Sequence, residues 1–295
     1  MVRKFVIEIM VLILLMGGSF GLLEFLFRDV RNDYDRRFDL LQQRYQTITR
    51  INIGNSHIGA LMNYGPDSAS CINLSFGGQD IFHCYSVLKT CIPHMPELKT
   101  VVFGLDYDLL GYDYIVANER WKDRQYYPYT GELYDNSWSN IIQARSAFFR
   151  SNRDFGLLTL LESNKTVPEM VYMPVSFDET PESCTKRAIE HSKYKYSEDL
   201  ISNNEMILAS VIQLCDNYSL QLWVVNTPKK ICYTDAYDQQ VYDNAIVSIK
   251  RIQMTYSFEF IDFWKDPEFT DEDFADSDHL NKRGAKKFLQ KVLNN

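Results

Sequence analysis

The sequence predicts an α/β protein with a doubly wound, mostly parallel five-stranded sheet flanked by helices. Short runs of β-branched and apolar residues alternate with longer helical patterns along most of the chain. Strands separated by helices of this length are joined by crossover connections, and they therefore lie parallel in one sheet. The third run, LKTVVFGLD, is apolar through its centre, which is typical of a strand buried on both faces.

The predicted strands are, in order, TITRINIG, SASCINLSF, LKTVVFGLD, LQLWVVNTP and FEFIDFW. The predicted helices are a helix start at SHIGALMNY, then GQDIFHCYSVLKTCI, EDLISNNEMILASVIQLCDNY, DAYDQQVYDNAIVSIKRIQMTY and NKRGAKKFLQKVL. The alternation is lost from about residue 108 to residue 192, where Tyr, Trp and Pro are frequent. We interpret this segment as an insertion beside the sheet edge, and its aromatic residues predict either a sugar-binding platform or a hydrophobic flap.

The first 30 residues are more apolar than is typical of a soluble protein. A largely apolar run from Phe5 to Phe27 follows Arg3 and Lys4, and it is about long enough to cross a bilayer as a helix. Basic residues before such a run favour a cytoplasmic N-terminus. We therefore predict a signal anchor that places the rest of the chain in the periplasm or at the cell surface. A cleaved signal peptide and a buried soluble helix are the alternatives.

The predicted organisation has three parts: the anchor at residues 1–30, a charged juxtamembrane helical segment at 31–46, and an α/β domain at 47–295. A chain of 295 residues is long enough for such a domain to bury a core. The membrane contact is made by the N-terminal helix, and the sequence predicts no particular protein partner.

Charge and cysteine content narrow the functional classes. The formal net charge of −8, with no basic stripe, excludes a nucleic-acid-binding surface. The six cysteines form no CxxC pair and no zinc-finger spacing. Buried free thiols are the expectation, and one disulfide involving Cys184 is the alternative. The histidines lack metal-ligand spacing, so we predict neither a metal nor another cofactor.

The stretch GNSH places Ser56 just after the first predicted strand. Ligands of doubly wound sheets gather at the carboxyl ends of the strands. A serine at the start of a helix also lies among backbone N–H groups that favour negative charge, and Gly54 allows the tight turn before it. Ser56 is therefore a candidate nucleophile, although a serine in this position is also a common helix cap.

The stretch ADSDHLNKRGAKKF provides the groups that a serine nucleophile needs. Asp276 and His279 are three residues apart, so on a turn or helical segment they are neighbours. An aspartate there can hold the imidazole Nδ1–H, which leaves Nε2 to accept the serine proton. The alternatives are a solvated helix-cap histidine and an ordinary member of an acidic run.

Together the two stretches resemble the SGNH/GDSL hydrolase superfamily, from about Thr47 to Leu293. GNSH stands where the family has Gly-Asp-Ser-Leu or a variant of it, and Ser56 matches the nucleophile. DSDHLNKRGAKKF is similar to the last block, Asp-x-x-His followed by a closing helix, so Asp276 and His279 match the acid and the base. The resemblance implies a flavodoxin-like SGNH fold with a Ser-His-Asp triad.

The resemblance also implies an oxyanion hole formed by the backbone amides of Ser56 and Gly78. The third block is normally Gly-x-Asn, and here FGLDY places Asp106 where the asparagine would donate to the oxyanion. An ionised carboxylate only accepts hydrogen bonds, so either Asp106 is held protonated by burial, or another group donates, or the site is catalytically weak. Asn73 and Gln79 are possible substitute donors, or else they stabilise turns and the helix cap.

The implied function is an outward-facing esterase or O-acyltransferase acting on a small acyl ester of an envelope glycan or polysaccharide. His57, Asn73 and Gln79 are expected to contact the substrate, with His57 at the rim of the site. The alternative is a non-catalytic protein of the same fold that binds glycan or scaffolds an envelope assembly. Hydrolase and transferase remain open at this point.

Overall fold

The computed structural model describes residues 2–61, 68–151, 180–193 and 197–294. It contains a five-stranded, all-parallel sheet with the strand order β2-β1-β3-β4-β5. The strands are β1 Arg50–Ile53, β2 Cys71–Asn73, β3 Thr100–Gly104, β4 Gln221–Asn226 and β5 Glu259–Asp262. Each lies inside one of the five runs predicted as strands, so the predicted parallel α/β architecture is confirmed.

Helices flank the sheet and follow its strands. The α-helices are α1 Val2–Phe27, α2 Asp33–Arg44, α3 Ser56–Gly59, α4 Ile81–Cys91, α5 Asp123–Thr130, α6 Trp138–Arg145, α7 Ala147–Ser151, α8 Pro181–Ser192, α9 Glu198–Asn217, α10 Ile231–Ala236, α11 Gln239–Gln253 and α12 Lys282–Leu293. Short 3-10 helices span Ser68–Ser70, Ile92–His94, Leu109–Gly111 and Asp271–Asp273. Part of the predicted insertion, residues 152–179, lies outside the described residues.

The strands have apolar sequences because they are buried. All four residues of β1 are buried, and Ile51 pairs with Ile72 of β2 on one side and Val101 of β3 on the other. On one face, the apolar side of α12 packs with Trp223 and Val225 in the hydrophobic core. Edge strand β5 is only partly buried, as expected of a strand with a single neighbour.

The chain divides into two compact units. One contains the residues up to Asp39 and the segment that begins at Arg120, and the other contains Leu40–Glu119 and the C-terminal segment ending at Asn295. The whole sheet lies in the second unit. The domain boundaries predicted at residues 30, 46 and 108–192 stay predictions.

In the first unit, α1 is long and apolar enough to cross a membrane, as a membrane anchor or a signal sequence would be. Its last turns contact α7. The Glu24 carboxylate accepts hydrogen bonds from the backbone N–H of Ala147 at 2.9 Å and from the hydroxyl of Ser146. Phe27 is fully buried and packs edge-on against Phe148, with ring centroids 5.2 Å apart.

Some aromatic residues of the predicted insertion also pack inside the first unit. Tyr126 is fully buried and meets Tyr34 edge-on, and Tyr129 stacks on Phe38 with centroids 4.1 Å apart. Trp138, in contrast, is 82% exposed. Tyr126 and one face of Tyr129 are thus committed to packing.

In the second unit, Cys184 of α8 forms a disulfide with Cys232 of α10. The expectation of free thiols is therefore wrong for this pair, because tertiary folding brings together cysteines that are 48 residues apart. Among the described residues, the free cysteines are all buried: Cys71, Cys84, Cys91 and Cys215.

Candidate active site

Ser56 lies at the carboxyl end of central strand β1, in the half-exposed first position of α3. Asn55 precedes it as the N-cap, and its side-chain oxygen accepts the backbone N–H of His57 at 3.0 Å. The asparagine, and not Ser56, thus caps the helix. The Ser56 hydroxyl is left for another partner.

Two glycines allow α3 to approach the sheet closely. Gly54 has φ of +152°, and a Cβ there would lie 3.1 Å from Gly104 of β3. A Cβ on Gly104 would meet Ile58 Cγ1 at 2.0 Å, far inside van der Waals contact. The glycines of GNSH and FGLD therefore let Ile58 of α3 pack directly on β3, and this packing fixes the position of Ser56.

Asp276 and His279 lie in a tight loop between β5 and α12. An isolated bridge between Phe274 and Leu280 closes the loop, and the N–H of Ala275 donates to the carbonyl of His279 at 2.8 Å. Inside the loop, Asp276 Oδ1 accepts the backbone N–H of His279 at 2.7 Å. The aspartate therefore shapes the turn that places the histidine.

The two predicted stretches meet in space. His279 Nε2 lies 2.9 Å from Ser56 Oγ, and His279 Nδ1 lies 2.9 Å from Asp276 Oδ2. Both distances are in hydrogen-bonding range. The imidazole is almost completely buried between its partners, so its orientation is fixed. This hydroxyl–imidazole–carboxylate order is the arrangement that nucleophilic catalysis by serine requires.

A second carboxylate also faces His279. Asp278 Oδ1 lies 3.4 Å from His279 Nδ1. Burial lowers the pKa of His279, but the charge of Asp278 and hydrogen bonds to Asp276 and Asp278 outweigh it and raise the pKa to about 9. The imidazolium form of His279 is therefore strongly stabilised at neutral pH.

His57 does not lie at the rim of the site, where we expected it, because it is only 4% exposed. Its Nδ1 lies 2.6 Å from Asp106 Oδ2 and its Nε2 lies 2.8 Å from Asp278 Oδ2. His57 thus bridges two carboxylates, and it has no nitrogen left to act as a base.

The Asp106 carboxylate is surrounded by donors. It accepts from Asn55 Nδ2 at 2.7 Å and lies 3.0 Å from Lys229 Nζ. Burial raises its pKa, but the charges and hydrogen bonds of His57 and Lys229 outweigh burial and hold the pKa well below its usual range. These contacts keep Asp106 an ionised acceptor, which does not fit the expected role as an oxyanion donor.

The other predicted substrate contacts serve local structure. Asn73 donates to the carbonyl of Ile58 at 2.9 Å and accepts the N–H of Ser75 at 2.9 Å. Gln79 is fully buried, and its Oε1 accepts the N–H of Phe76. Both follow the alternative in which they stabilise turns. Gly78 has φ of +62° in the turn before α4, and its amide as an oxyanion donor stays a prediction.

Sequence reasoning missed four residues around the site. Asp278 is contacted by Arg187 Nε at 2.5 Å and lies 3.5 Å from His191 Nδ1. Lys229 follows β4 at the carboxyl edge of the sheet, and that position was a usable signal. Arg187 and His191 belong to α8 in the predicted insertion, and no sequence pattern connects them to Asp278.

Some of these side chains could in principle hold a metal ion. The ligand atoms of His57, His191 and Asp278 lie within 4.8 Å of one another, as do those of Asp276, Asp278 and His279. Asp278 belongs to both groups and is paired with the cation Arg187, whose positive charge opposes a metal ion. The prediction that no metal is needed stays a prediction.

The chain was also compared with known proteins. No protein-family model matches it, and no curated protein sequence matches it. The function is therefore inferred from the arrangement of Ser56, His279 and Asp276 in the second unit.

Proposed function

We propose that the protein is an SGNH-like serine esterase or O-acyltransferase that acts on a small acyl ester of an envelope glycan. The observation that carries this proposal is the 2.9 Å distance between Ser56 Oγ and His279 Nε2, with Asp276 on the opposite ring nitrogen. The triad partners lie 223 residues apart in the chain. They meet at the edge of the sheet where doubly wound proteins bind ligands.

In the proposed reaction, Ser56 Oγ attacks the ester carbonyl carbon while His279 Nε2 takes the hydroxyl proton. Asp276 holds Nδ1–H and stabilises the imidazolium. The tetrahedral intermediate collapses, and His279 returns the proton to the departing glycan oxygen. Water, or an acceptor hydroxyl in a transferase, then attacks the acyl-serine with His279 again as the base.

Oxyanion stabilisation is assigned to backbone amides. Ser56 is the first residue of α3, and the first N–H groups of a helix have no intrahelical acceptor. The resemblance adds the amide of Gly78. Asn55 and Asp106 stand where the family has aspartate and asparagine respectively, and here Asn55 Nδ2 donates to Asp106 Oδ2. These two differences from the family compensate each other, because the Asn55–Asp106 pair still has one hydrogen-bond donor and one acceptor.

Two observations support an anchored, outward-facing protein. The Cys184–Cys232 disulfide is typical of proteins in oxidising compartments outside the cytoplasm. Glu24 and Phe27 at the end of α1 contact α7, so cleavage after α1 would remove buried partners from the folded protein. Both favour an uncleaved anchor with the α/β domain in the periplasm or at the cell surface.

The alternative is a non-catalytic glycan-binding or scaffolding protein of the same fold. It is favoured by the ionised Asp106 where an oxyanion donor would stand, and by the raised pKa of His279, which keeps the base protonated at neutral pH. Turnover by the Asp106→Asn variant separates these readings. A rise would indicate that the carboxylate limits an enzyme.

The direct test uses the full chain in detergent and a fluorophosphonate probe. We expect the wild type to be labelled and Ser56→Ala to be unlabelled, with turnover of p-nitrophenyl acetate reduced about 10³-fold or more. Ser210→Ala is the matched control, because this helical serine only donates to the carbonyl of Met206. Absence of labelling in folded wild type at alkaline pH would favour the non-catalytic alternative.

A further inference from the structure

Arg187 is positioned next to the triad by a buried carboxylate. Its Nε lies 2.5 Å from Asp278 Oδ1, and the Asp278 side chain is fully buried, whereas the Arg187 side chain is 38% exposed. Asp278 in turn contacts His279, the partner of Ser56. Two buried side chains, Asp278 and His279, therefore connect the partly exposed Ser56 to the partly exposed Arg187.

The outer part of the Arg187 guanidinium has donors to spare. Among the residues that the structure describes, Asp278 is the only ion-pair partner of Arg187, and the contact uses Nε. The two terminal nitrogens carry four N–H groups in a planar fork, a geometry that matches carboxylate and phosphate oxygens. An arginine held through Nε by a buried acid is already oriented before a ligand arrives, which lowers the entropy cost of binding.

His191 lies one helical turn further along α8, and its side chain is also partly exposed. Its Nδ1 lies 2.8 Å from Tyr233 Oη and 3.5 Å from Asp278 Oδ2. Burial lowers the pKa of His191 to about 4, so the ring is neutral at pH 7. Within the described part of the chain, Nε2 has no hydrogen-bond partner.

The disulfide fixes these two side chains in place. Cys184 is three residues before Arg187 and seven before His191, so all three lie along one side of α8. Cys184 and Ala188 are buried, and the Cys184–Cys232 bond joins α8 to α10. The disulfide therefore restrains α8, which carries Arg187 and His191, against α10.

We propose that Arg187, assisted by His191, binds an anionic group of the substrate close to the acyl ester. The substrate is therefore an acidic glycan, in which a carboxylate of a uronic acid or a phosphate lies near the acylated hydroxyl. This inference rests on the proposed function for the reaction itself. The anion-binding step depends only on the geometry of α8 and Asp278.

Kinetics of the full chain test this proposal with two acidic esters and one neutral ester. These are O-acetylated oligogalacturonate, an O-acetylated glycerol phosphate oligomer, and O-acetylated xylo-oligosaccharide. Loss of a charge-assisted pair predicts that Arg187→Gln raises KM for one acidic ester about 10–100-fold. The loss on the neutral ester should be at least about 10-fold smaller. The ester with the larger loss identifies carboxylate or phosphate as the ligand.

Two further variants separate substrate binding from support of Asp278. Lys186→Gln makes the same charge change at the next, exposed position of α8, and it should leave all three KM values unchanged. Arg187→Lys keeps the charge without the fork, so it should recover only part of the affinity for the acidic ester. An equal fall in kcat/KM on acidic and neutral esters would overturn the proposal, because Arg187 would then act only through Asp278.

A binding measurement keeps this test independent of catalysis. In the Ser56→Ala background, calorimetry with unacetylated trigalacturonate and with glycerol phosphate oligomer should show binding of one ligand that Arg187→Gln removes and Lys186→Gln retains. Equal binding by both variants would refute the anion site. Wild type that binds the anion but turns over no ester would refute the proposed function alone.

Discussion

Two buried histidines lie side by side in the second unit, and they differ in what their ring nitrogens face. The rings of His57 and His279 have centroids 4.7 Å apart, and both approach Asp278. His57 has a carboxylate on each nitrogen, whereas His279 has carboxylates on Nδ1 and the Ser56 hydroxyl on Nε2. A hydroxyl can give up a proton, and an ionised carboxylate cannot.

This difference separates a structural histidine from a candidate base. His57 contacts two buried carboxylates and joins the β1 end of the site to the C-terminal loop. His279 can alternate between accepting and returning a proton at Nε2. Burial, ring type and the shared neighbour Asp278 are the same, so the identity of the second partner decides the role.

The largest expected effect on turnover in this comparison is that of Asp276→Asn. The amide would present N–H to His279 Nδ1 and favour the tautomer that cannot accept the serine proton, so kcat should fall about 10²–10⁴-fold. Asp278 Oδ1 at 3.4 Å still offers an acceptor, which places the expected loss in the lower part of that range. Ester turnover measured at saturating substrate checks this.

Asp278→Asn is the control for that prediction. It removes the more distant carboxylate from His279, so we expect a smaller fall in kcat at alkaline pH than for Asp276→Asn. A larger fall would mean that Asp278 is the residue that orients the base, and the assignment of Asp276 from the spacing Asp-x-x-His would be wrong.

The fold was predictable from local signals, and the meeting of Ser56 with His279 was predictable only because the two short motifs that contain them together resemble one family. Strand-like runs separated by helices predict a parallel sheet. The motifs GNSH and DSDH place candidate catalytic residues at the end of a strand and in a turn. The His57–Asp278 contact joins residues 221 positions apart, and no periodicity or spacing predicts it. Arg187 reaches the site through a helix after an irregular segment, and its position depends on a disulfide that sequence does not assign.

The next effect is on stability and concerns His57. Replacing it with alanine leaves the buried carboxylates of Asp106 and Asp278 without the hydrogen-bond partner between them, and losing the partner of a buried polar group costs about 1–3 kcal/mol. We expect His57→Ala to lower the free energy of unfolding by roughly this amount, measured by urea denaturation. Ser56→Ala removes only a half-exposed hydroxyl and should change stability little. Equal stability of the two variants would contradict the structural role of His57.

The smallest effect is a shift in the pH at which the rate inflects, and it concerns His279. Only neutral His279 can accept the serine proton, and its pKa is raised to about 9 by Asp278 and Asp276 against the effect of burial. The rate kcat/KM should therefore rise with pH and inflect near 9. In Asp278→Asn one stabilising carboxylate is lost, so the inflection should move towards the ordinary histidine value of about 6.5.

The free energy of unfolding should fall as pH rises over the same range, whereas kcat/KM rises. Since the folded pKa of His279 lies above its unfolded value, its contribution is complete below about pH 6.5 and is lost as pH rises through about 9. The protein should thus become more active and less stable between these limits, and both changes should weaken in Asp278→Asn. An inflection that stays near 9 in this variant would show that Asp276 alone sets the pKa of the base.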